Sequence, residues 1–127
     1  MKIVLWILQI VLGLMMMFTG MIKMIMPYEQ LAGQMAWVQD LRPFMIRVIA
    51  FFELLGGIGL IIPTALRIKP FLTAWAAVGI GLIMTGAVAT HIVRNEWGMT
   101  LLPFGLLLMA GIIAIGRFKI YPVHPRE

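Results

Sequence analysis

Cysteine is absent from this sequence, and charged side chains are scarce. The 127 residues include no cysteine, two histidines and 12% charged residues, whereas 62% are hydrophobic. The lack of cysteine excludes disulfides, thiolate metal sites, cysteine-bound iron–sulfur clusters and CxxC exchange chemistry. Soluble domains are about 25% charged and about 45–50% apolar. This composition therefore indicates a protein of the lipid bilayer, with room for a single domain over residues 1–127.

The net charge of +5 comes from basic residues that stand at the ends of apolar runs. This distribution is typical of membrane topology signals rather than of nucleic-acid binding. We therefore expect the lipid bilayer as a partner and no nucleic acid.

Four apolar segments are long enough to cross a bilayer, which requires roughly 20 residues. They are residues 3–22, 44–62, 70–93 and 99–116. No small-x-small cleavage site follows the first segment, which favours a retained helix over a removed signal peptide. The short connections "PTALRIK" and "RNEWG" predict that the helices they join are antiparallel neighbours. The fold class is therefore an all-α membrane protein, an antiparallel bundle of four transmembrane helices.

The longer connection between the first two spans predicts a further helix over residues 28–41. Pro27 suits its start, and Pro43 marks an end. Apolar residues recur along one face at helical spacing: Leu31, Met35, Val38 and Leu41. This pattern predicts a short amphipathic helix that lies in the membrane interface.

The orientation follows from the charges on the two sides of the predicted bundle. The side with the termini and the second loop holds six basic residues and one acidic residue, whereas the other side holds four of each. The positive-inside rule therefore predicts a multi-pass protein of the plasma (inner) membrane with both termini in the cytoplasm.

A glutamate interrupts the second span. Glu53 lies six residues after Arg47, about 9 Å along the axis at ~1.5 Å per residue. A carboxylate at that depth is costly unless it is paired, hydrated or protonated, and such groups face the bundle interior. Small residues on the predicted helix faces indicate close approach by another helix or a ligand. These candidate packing residues are Gly20, Gly56, Gly57, Gly81 and Gly86.

The predicted topology brings other ionisable residues to the same outer half as Glu53. We predict a polar site there, with Lys23, Glu53, His91 and Arg94 as candidates for ligand binding or proton exchange. Structural interpretations stay open: Lys23 and Arg94 as interfacial anchors, His91 as a hydrogen-bonded residue, and Glu53 in an ion pair with Lys23 or Arg94. The run "MMMFTGMIKMIM" favours adaptable packing over Cu(I) binding, and no metal site is predicted.

The arrangement of these motifs resembles the DoxX and DoxX-like membrane protein family. The resemblance is carried by Gly20-x-x-Lys23, by "ELLGGIGLIIP" from Glu53 and by "GAVATH" from Gly86 to His91, in that order within four spans. It implies a membrane subunit linked to quinone-coupled sulfur oxidation and terminal oxidase assemblies, a redox partner, or an assembly chaperone. It also implies that Lys23, Glu53 and His91 share a polar site. The thiol relay of the architecturally similar quinone-linked thiol oxidoreductases is excluded, because it needs cysteines.

Two functions stay open. The first is a subunit of a quinone-linked membrane oxidoreductase system, in which His91 or Lys23 binds a quinone headgroup and Glu53 exchanges protons. No redox cofactor is encoded, so a bound quinone or lipid would come from the membrane and electrons from a partner protein. The second is a non-enzymatic bundle that assists the assembly of membrane proteins or binds a hydrophobic ligand. Whether the chain is an enzyme and whether it forms homo-oligomers both stay open. A transporter is disfavoured, because a polar cluster at one end makes no path across the bilayer.

Overall fold

Four long helices and one short helix make up most of the structure. The computed structural model describes residues 2–34, 38, 39, 41–120 and 122, and no strand occurs among them. The long helices are α1 (Lys2–Ile25), α3 (Pro43–Leu66), α4 (Phe71–Val93) and α5 (Leu101–Ile115), and the short helix is α2 (Tyr28–Gln34). A 3₁₀ turn at Trp97–Thr100 leads into α5, and a π-helical turn at Gly116–Ile120 extends it.

Four segments have the length and the apolar composition to cross a membrane. They are Ile3–Ile25, Pro43–Leu66, Phe71–Val93 and Trp97–Ile120, which confirms the predicted four-helix membrane bundle. The second segment continues past its predicted end at residue 62 and includes Pro63. A proline removes one backbone donor, and here the helix continues until Arg67 adopts a left-handed conformation with φ 56°.

The connection between the first two spans holds a helix within the range 28–41 where one was predicted. The helix α2 ends at Gln34, and residues 35–37 and 40 lie outside the described part of the chain. Tyr28 donates its hydroxyl proton to the Val38 or the Leu41 carbonyl oxygen, which lie 3.0 and 2.7 Å from the hydroxyl oxygen. Leu31 and Val38 are buried against Ile46 of α3. The connection therefore packs onto the bundle.

The long helices form a closed ring. The helix α1 packs against α3, α3 against α4, and α4 against α5, and α5 returns to α1. The core between them is apolar and consists of Leu12, Met16, Leu60, Ala77, Ile80, Met84, Leu106, Ala110 and Ile113. Large apolar side chains also cover the outside; Phe18 and Leu82 are 67% and 71% exposed. Helices that are hydrophobic all round are typical of membrane spans.

The antiparallel order gives the bundle two distinct ends. The Lys23 end holds the last turns of α1 and α4 and the first turns of α3 and α5. The Arg117 end holds the first turns of α1 and α4, the last turn of α3 and the π-helical turn.

Candidate functional site

Glu53 lies in a buried hydrogen-bond network between α1 and α3. Its side chain is 1% exposed, and its Oε1 atom accepts a hydrogen bond from the Lys23 ammonium at 2.7 Å. The Oε2 atom lies 2.7 Å from the Thr19 hydroxyl, which donates to it. Thr19 and Lys23 are four residues apart on α1 and therefore share one face of that helix. Both carboxylate oxygens are thus bound within the chain, in the ion pair that the sequence left open as the structural role of Glu53.

Glycines bring the backbones of α1 and α3 close enough for this contact. A Cβ atom on Gly20 would lie 2.9 Å from the Ala50 carbonyl oxygen, and one on Gly57 would lie 2.7 Å from the Gly13 carbonyl oxygen. These atoms belong to the backbone, so they cannot move aside as a flexible side chain can. The glycine contacts lie on both sides of Glu53 along α3 and hold its carboxylate against α1.

The remaining glycines predicted to pack have different surroundings. Gly56 points about 100° away from its neighbour Gly57 on the helix. It faces α4, because a Cβ atom there would lie 2.9 Å from Ile80. Gly81 has ordinary contact distances, with Leu107 at 3.6 Å from its Cβ position. Among the described residues, no heavy atom lies within 4 Å of the Gly86 Cβ position. Gly86 is therefore outside the helix contacts of this structure, which differs from the prediction.

Arg47 adds a second cation near the Lys23 end of α1. Its guanidinium donates a hydrogen bond to the Lys23 carbonyl oxygen. The last carbonyls of a helix lack partners within the helix, and a basic side chain that binds one of them also interacts favourably with the helix dipole. Arg47 therefore fixes the end of α1 that supplies Lys23.

The other two predicted site residues form a separate group. His91 Nδ1 lies 3.0 Å from Glu96 Oε1, and Arg94 Nε donates to the same oxygen at 3.3 Å. The backbone N–H of Glu96 also donates to the His91 carbonyl oxygen at 2.8 Å. The described hydrogen bonds thus pair Lys23 with Glu53 and join His91 and Arg94 through Glu96, whereas a shared ligand-binding role for the four residues stays a prediction. Glu96, in the connection between α4 and α5, is the residue that binds His91.

A third buried polar group, at the Arg117 end, was not predicted from the sequence. Gln9 is fully buried and donates its amide to the Leu60 carbonyl oxygen at 2.7 Å. Its own oxygen accepts a hydrogen bond from Arg117 Nε at 2.6 Å, and the guanidinium lies 5.7 Å from the centre of the Trp6 ring. This group connects α1, α3 and the π-helical turn. The one sequence signal for it was a glutamine within an apolar span.

An apolar groove runs between α3 and α4. It has a volume of about 710 Å³ and opens on the outer surface of the bundle. Residues from both helices line it, among them Phe52, Gly59 and Pro63 of α3 and Leu72, Trp75 and Gly79 of α4. The groove lies on the side of α3 opposite to the Glu53 carboxylate, since Glu53 faces α1. Within the described residues, no three histidine, aspartate or glutamate side chains are placed to hold a metal ion.

The family resemblance seen in the motifs is confirmed by comparison with known protein families. The family model of the DoxX-like family matches residues 7–113. Searches of curated proteins and of solved structures found no match. The matched range includes the Lys23–Glu53 pair, His91 and the whole groove between α3 and α4. The chain therefore belongs to the DoxX-like family of proteins.

Proposed function

We propose that this protein is a non-enzymatic membrane bundle that binds a hydrophobic ligand in the groove between α3 and α4. The volume of that groove, about 710 Å³, is the observation that supports the proposal. Ligand sites are typically concave, mostly apolar and about 300–1,000 Å³ in volume. The groove has this size and lining, and it opens where a membrane-dissolved molecule would arrive.

The geometry of Glu53 favours a non-enzymatic role. A general base needs a lone pair directed at the proton that it removes, and in this structure the two carboxylate oxygens of Glu53 are directed at donors within the chain, Oε2 at Thr19 and Oε1 at Lys23. The side chain is also almost completely buried. In this arrangement the pair holds α1 against α3, so the groove-forming helices α3 and α4 rest on a fixed support.

The groove can be filled selectively by a substitution at Gly79. A Cβ atom at this position would have no described heavy atom of another element within 4 Å, and Gly79 lines the groove, so a leucine there should occupy part of its volume. Gly86 is a matched control, because it lies on the same helix, also has open space around its Cβ position and does not line the groove.

Native mass spectrometry of the protein, purified in mild detergent, tests the proposal. We expect the wild type and Gly86→Leu to retain a hydrophobic adduct and Gly79→Leu to lose it. Equal retention by Gly79→Leu and the wild type would refute binding in the groove. Circular dichroism of each variant shows whether the helices are intact.

A quinone-linked redox role is a second proposal, supported by the polar residues within the membrane-spanning helices. A quinone carbonyl accepts hydrogen bonds, and Lys23 and His91 are donors of the kind it requires. In this role Lys23 or His91 would donate to the quinone carbonyl and Glu53 would exchange protons, with Arg94 holding Glu96 near His91. As a subunit, the protein would then receive electrons from a partner protein.

Quinone extraction and titration test this second proposal. We expect quinone in extracts of the purified protein and a weaker titration for Glu53→Gln, while the exposed control Glu29→Gln is unchanged. No quinone in the extract, together with equal titrations for all three proteins, would refute it.

We also propose that the Arg117 end faces the cytoplasm, with the protein in the plasma (inner) membrane. The asymmetry of Lys and Arg supports this orientation. The natural lack of cysteine allows single-cysteine labelling without background. We expect a membrane-impermeant thiol reagent to label Glu29→Cys in intact cells and to label Lys69→Cys only after the membrane is opened. The reverse pattern would invert the orientation.

A further inference from the structure

The charges of the bundle are separated between its ends. Among the described side chains, the carboxylates are those of Glu29, Glu53 and Glu96, and all three lie towards the Lys23 end. The Arg117 end carries only cations among the described side chains: Arg67, Lys69, Arg117 and Lys119. A ligand that reaches this end from the membrane therefore meets a positive surface.

The apolar groove ends at the loop that carries two of these cations. Its lining reaches Pro63 at the end of α3 and Leu72 at the start of α4, and the connection between them contains Arg67 and Lys69. Both residues are exposed and have left-handed backbones, with φ 56° and 47°. Backbone N–H groups that donate to the Pro63 and Thr64 carbonyl oxygens hold the start of this loop. Two cations thus have defined backbone positions at one end of an apolar groove.

We infer that the groove holds an anionic phospholipid, with an acyl chain along α3 and α4 and the phosphate headgroup at Arg67 and Lys69. This inference rests on the proposed groove function and adds the class of ligand. Residues 52 and 63 of α3 both line the groove, and they lie about 16 Å apart along the helix axis at ~1.5 Å per residue. This length suits an extended acyl chain. Arg and Lys side chains donate charge-assisted hydrogen bonds to phosphate oxygens. Basic pockets between membrane helices are known to bind anionic headgroups.

The aromatic residues near this end support the placement of the headgroup. Trp75 lines the groove and stacks edge-on against Phe118 at 5.3 Å between ring centres. Tryptophan is enriched at the level of lipid headgroups. The loop that contains Arg67 and Lys69 leads into α4, and α4 begins only a few residues before Trp75. The cations therefore lie at the depth where a phosphate is expected.

Lipid titration, followed by native mass spectrometry, tests the inference. Delipidated protein would be titrated with phosphatidylglycerol and with phosphatidylcholine of the same acyl chains. We expect the wild type to prefer the anionic lipid. Lys69→Gln should reduce this preference about fivefold, the effect expected for one basic residue at a membrane surface, and the double variant Arg67→Gln/Lys69→Gln should bring it near parity. Lys119→Gln, which changes an exposed lysine of the same end that lies in the π-helical turn and not in the loop between α3 and α4, should change it less than twofold.

The outcomes separate this inference from the proposed function. Equal binding of the two lipids by the wild type would refute the headgroup assignment and leave the groove as a site for neutral chains. An equal loss for Lys119→Gln and Lys69→Gln would also refute it, because a diffuse positive field would then explain the preference. If Gly79→Leu binds phosphatidylglycerol as the wild type does, the lipid lies outside the groove and the inference is wrong. No lipid binding by any variant or by the wild type would refute both proposals.

Discussion

The geometry of the buried pair of Lys23 and Glu53 predicts which of the two residues contributes more to the stability of the bundle. The two side chains are exposed to different degrees, 12% for Lys23 and 1% for Glu53. Lys23 lies in the last turn of α1, so its long side chain can reach the interface when it loses its partner. The carboxylate of Glu53 has no comparable route to water. Removal of Lys23 should therefore destabilise the bundle more than neutralisation of Glu53.

The magnitudes follow from what each substitution leaves behind. Lys23→Met leaves a buried carboxylate with Thr19 as its neutral donor, and the loss of one partner from a buried pair costs about 3–5 kcal/mol. Glu53→Gln retains an oxygen that accepts from Thr19 and releases an ammonium that can extend to the interface, so we expect a cost of about 2 kcal/mol. The double variant Lys23→Met/Glu53→Gln contains neither charge of the buried pair. It should therefore be more stable than Lys23→Met alone.

Equilibrium unfolding in mixed micelles, monitored by circular dichroism, measures these free energies. The exposed carboxylate of Glu29 provides a control, and Glu29→Gln should stay within about 0.5 kcal/mol of the wild type. Two results would contradict the reasoning. One is a double variant less stable than Lys23→Met, and the other is a loss below about 0.5 kcal/mol for both single variants.

Two further predictions concern the helix contacts and use the same unfolding measurement. Gly57→Ala would place a Cβ atom 2.7 Å from the Gly13 carbonyl oxygen and should cost about 1–3 kcal/mol. Gly105→Ala, with no described heavy atom within 4 Å of its Cβ position, should be neutral or stabilising, and an equal loss for both would contradict the close-packing explanation. Arg117→Met removes the hydrogen bond at 2.6 Å to the buried Gln9 oxygen and should cost about 1–3 kcal/mol. An unchanged stability would show that this bond contributes nothing.

The four spans could be predicted from the sequence because length and apolar composition determine whether a helix can cross a bilayer. The ends of the helices could not be predicted equally well. Pro63 was a reasonable end for the second span, yet α3 continues to Leu66, since a proline in the last turn of a helix removes only one donor. The helix predicted over residues 28–41 is described from Tyr28 to Gln34, and residues 35–37 and 40 of that prediction lie outside the described part of the chain. In that segment Leu31 and Val38 are buried against Ile46, a contact between distant positions that helical periodicity does not predict.

The pairing of the polar residues was harder to predict than their depth. Lys23 and Glu53 were expected at one level, and the ion pair was one of two interpretations left open. His91 was expected beside Glu53, but its partner is Glu96, because Asn95 turns the chain with φ 59° and returns the carboxylate to the end of α4. Asparagine adopts this conformation more readily than most residues, which was the available signal.

The contact between Gln9 and Arg117 shows why sequence periodicity cannot predict such pairs. These residues are 108 positions apart, one in α1 and the other in the π-helical turn that follows α5. Helical periodicity predicts which face a residue occupies, whereas the rotation of one helix relative to another depends on the packing of the complete ring. Gln9 could be recognised as a polar residue on an inward face, but its partner depends on how α5 closes against α1.

The combination of glycine contacts and a buried ion pair explains how an almost uniformly apolar chain selects one helix register. Apolar faces rich in leucine, isoleucine and methionine pack at similar energy in several alignments, because shape alone distinguishes them weakly. Polar groups remove that degeneracy, since a misplaced charge in a low-dielectric medium is costly. A shift of α1 by one residue would rotate Lys23 and Thr19 by about 100° and would separate both from Glu53. The same shift would replace Gly13 and Gly20 at the backbone contacts with larger neighbours. Steric and electrostatic terms therefore favour the same alignment, and α3, held in this way, presents a fixed wall to the groove that it shares with α4.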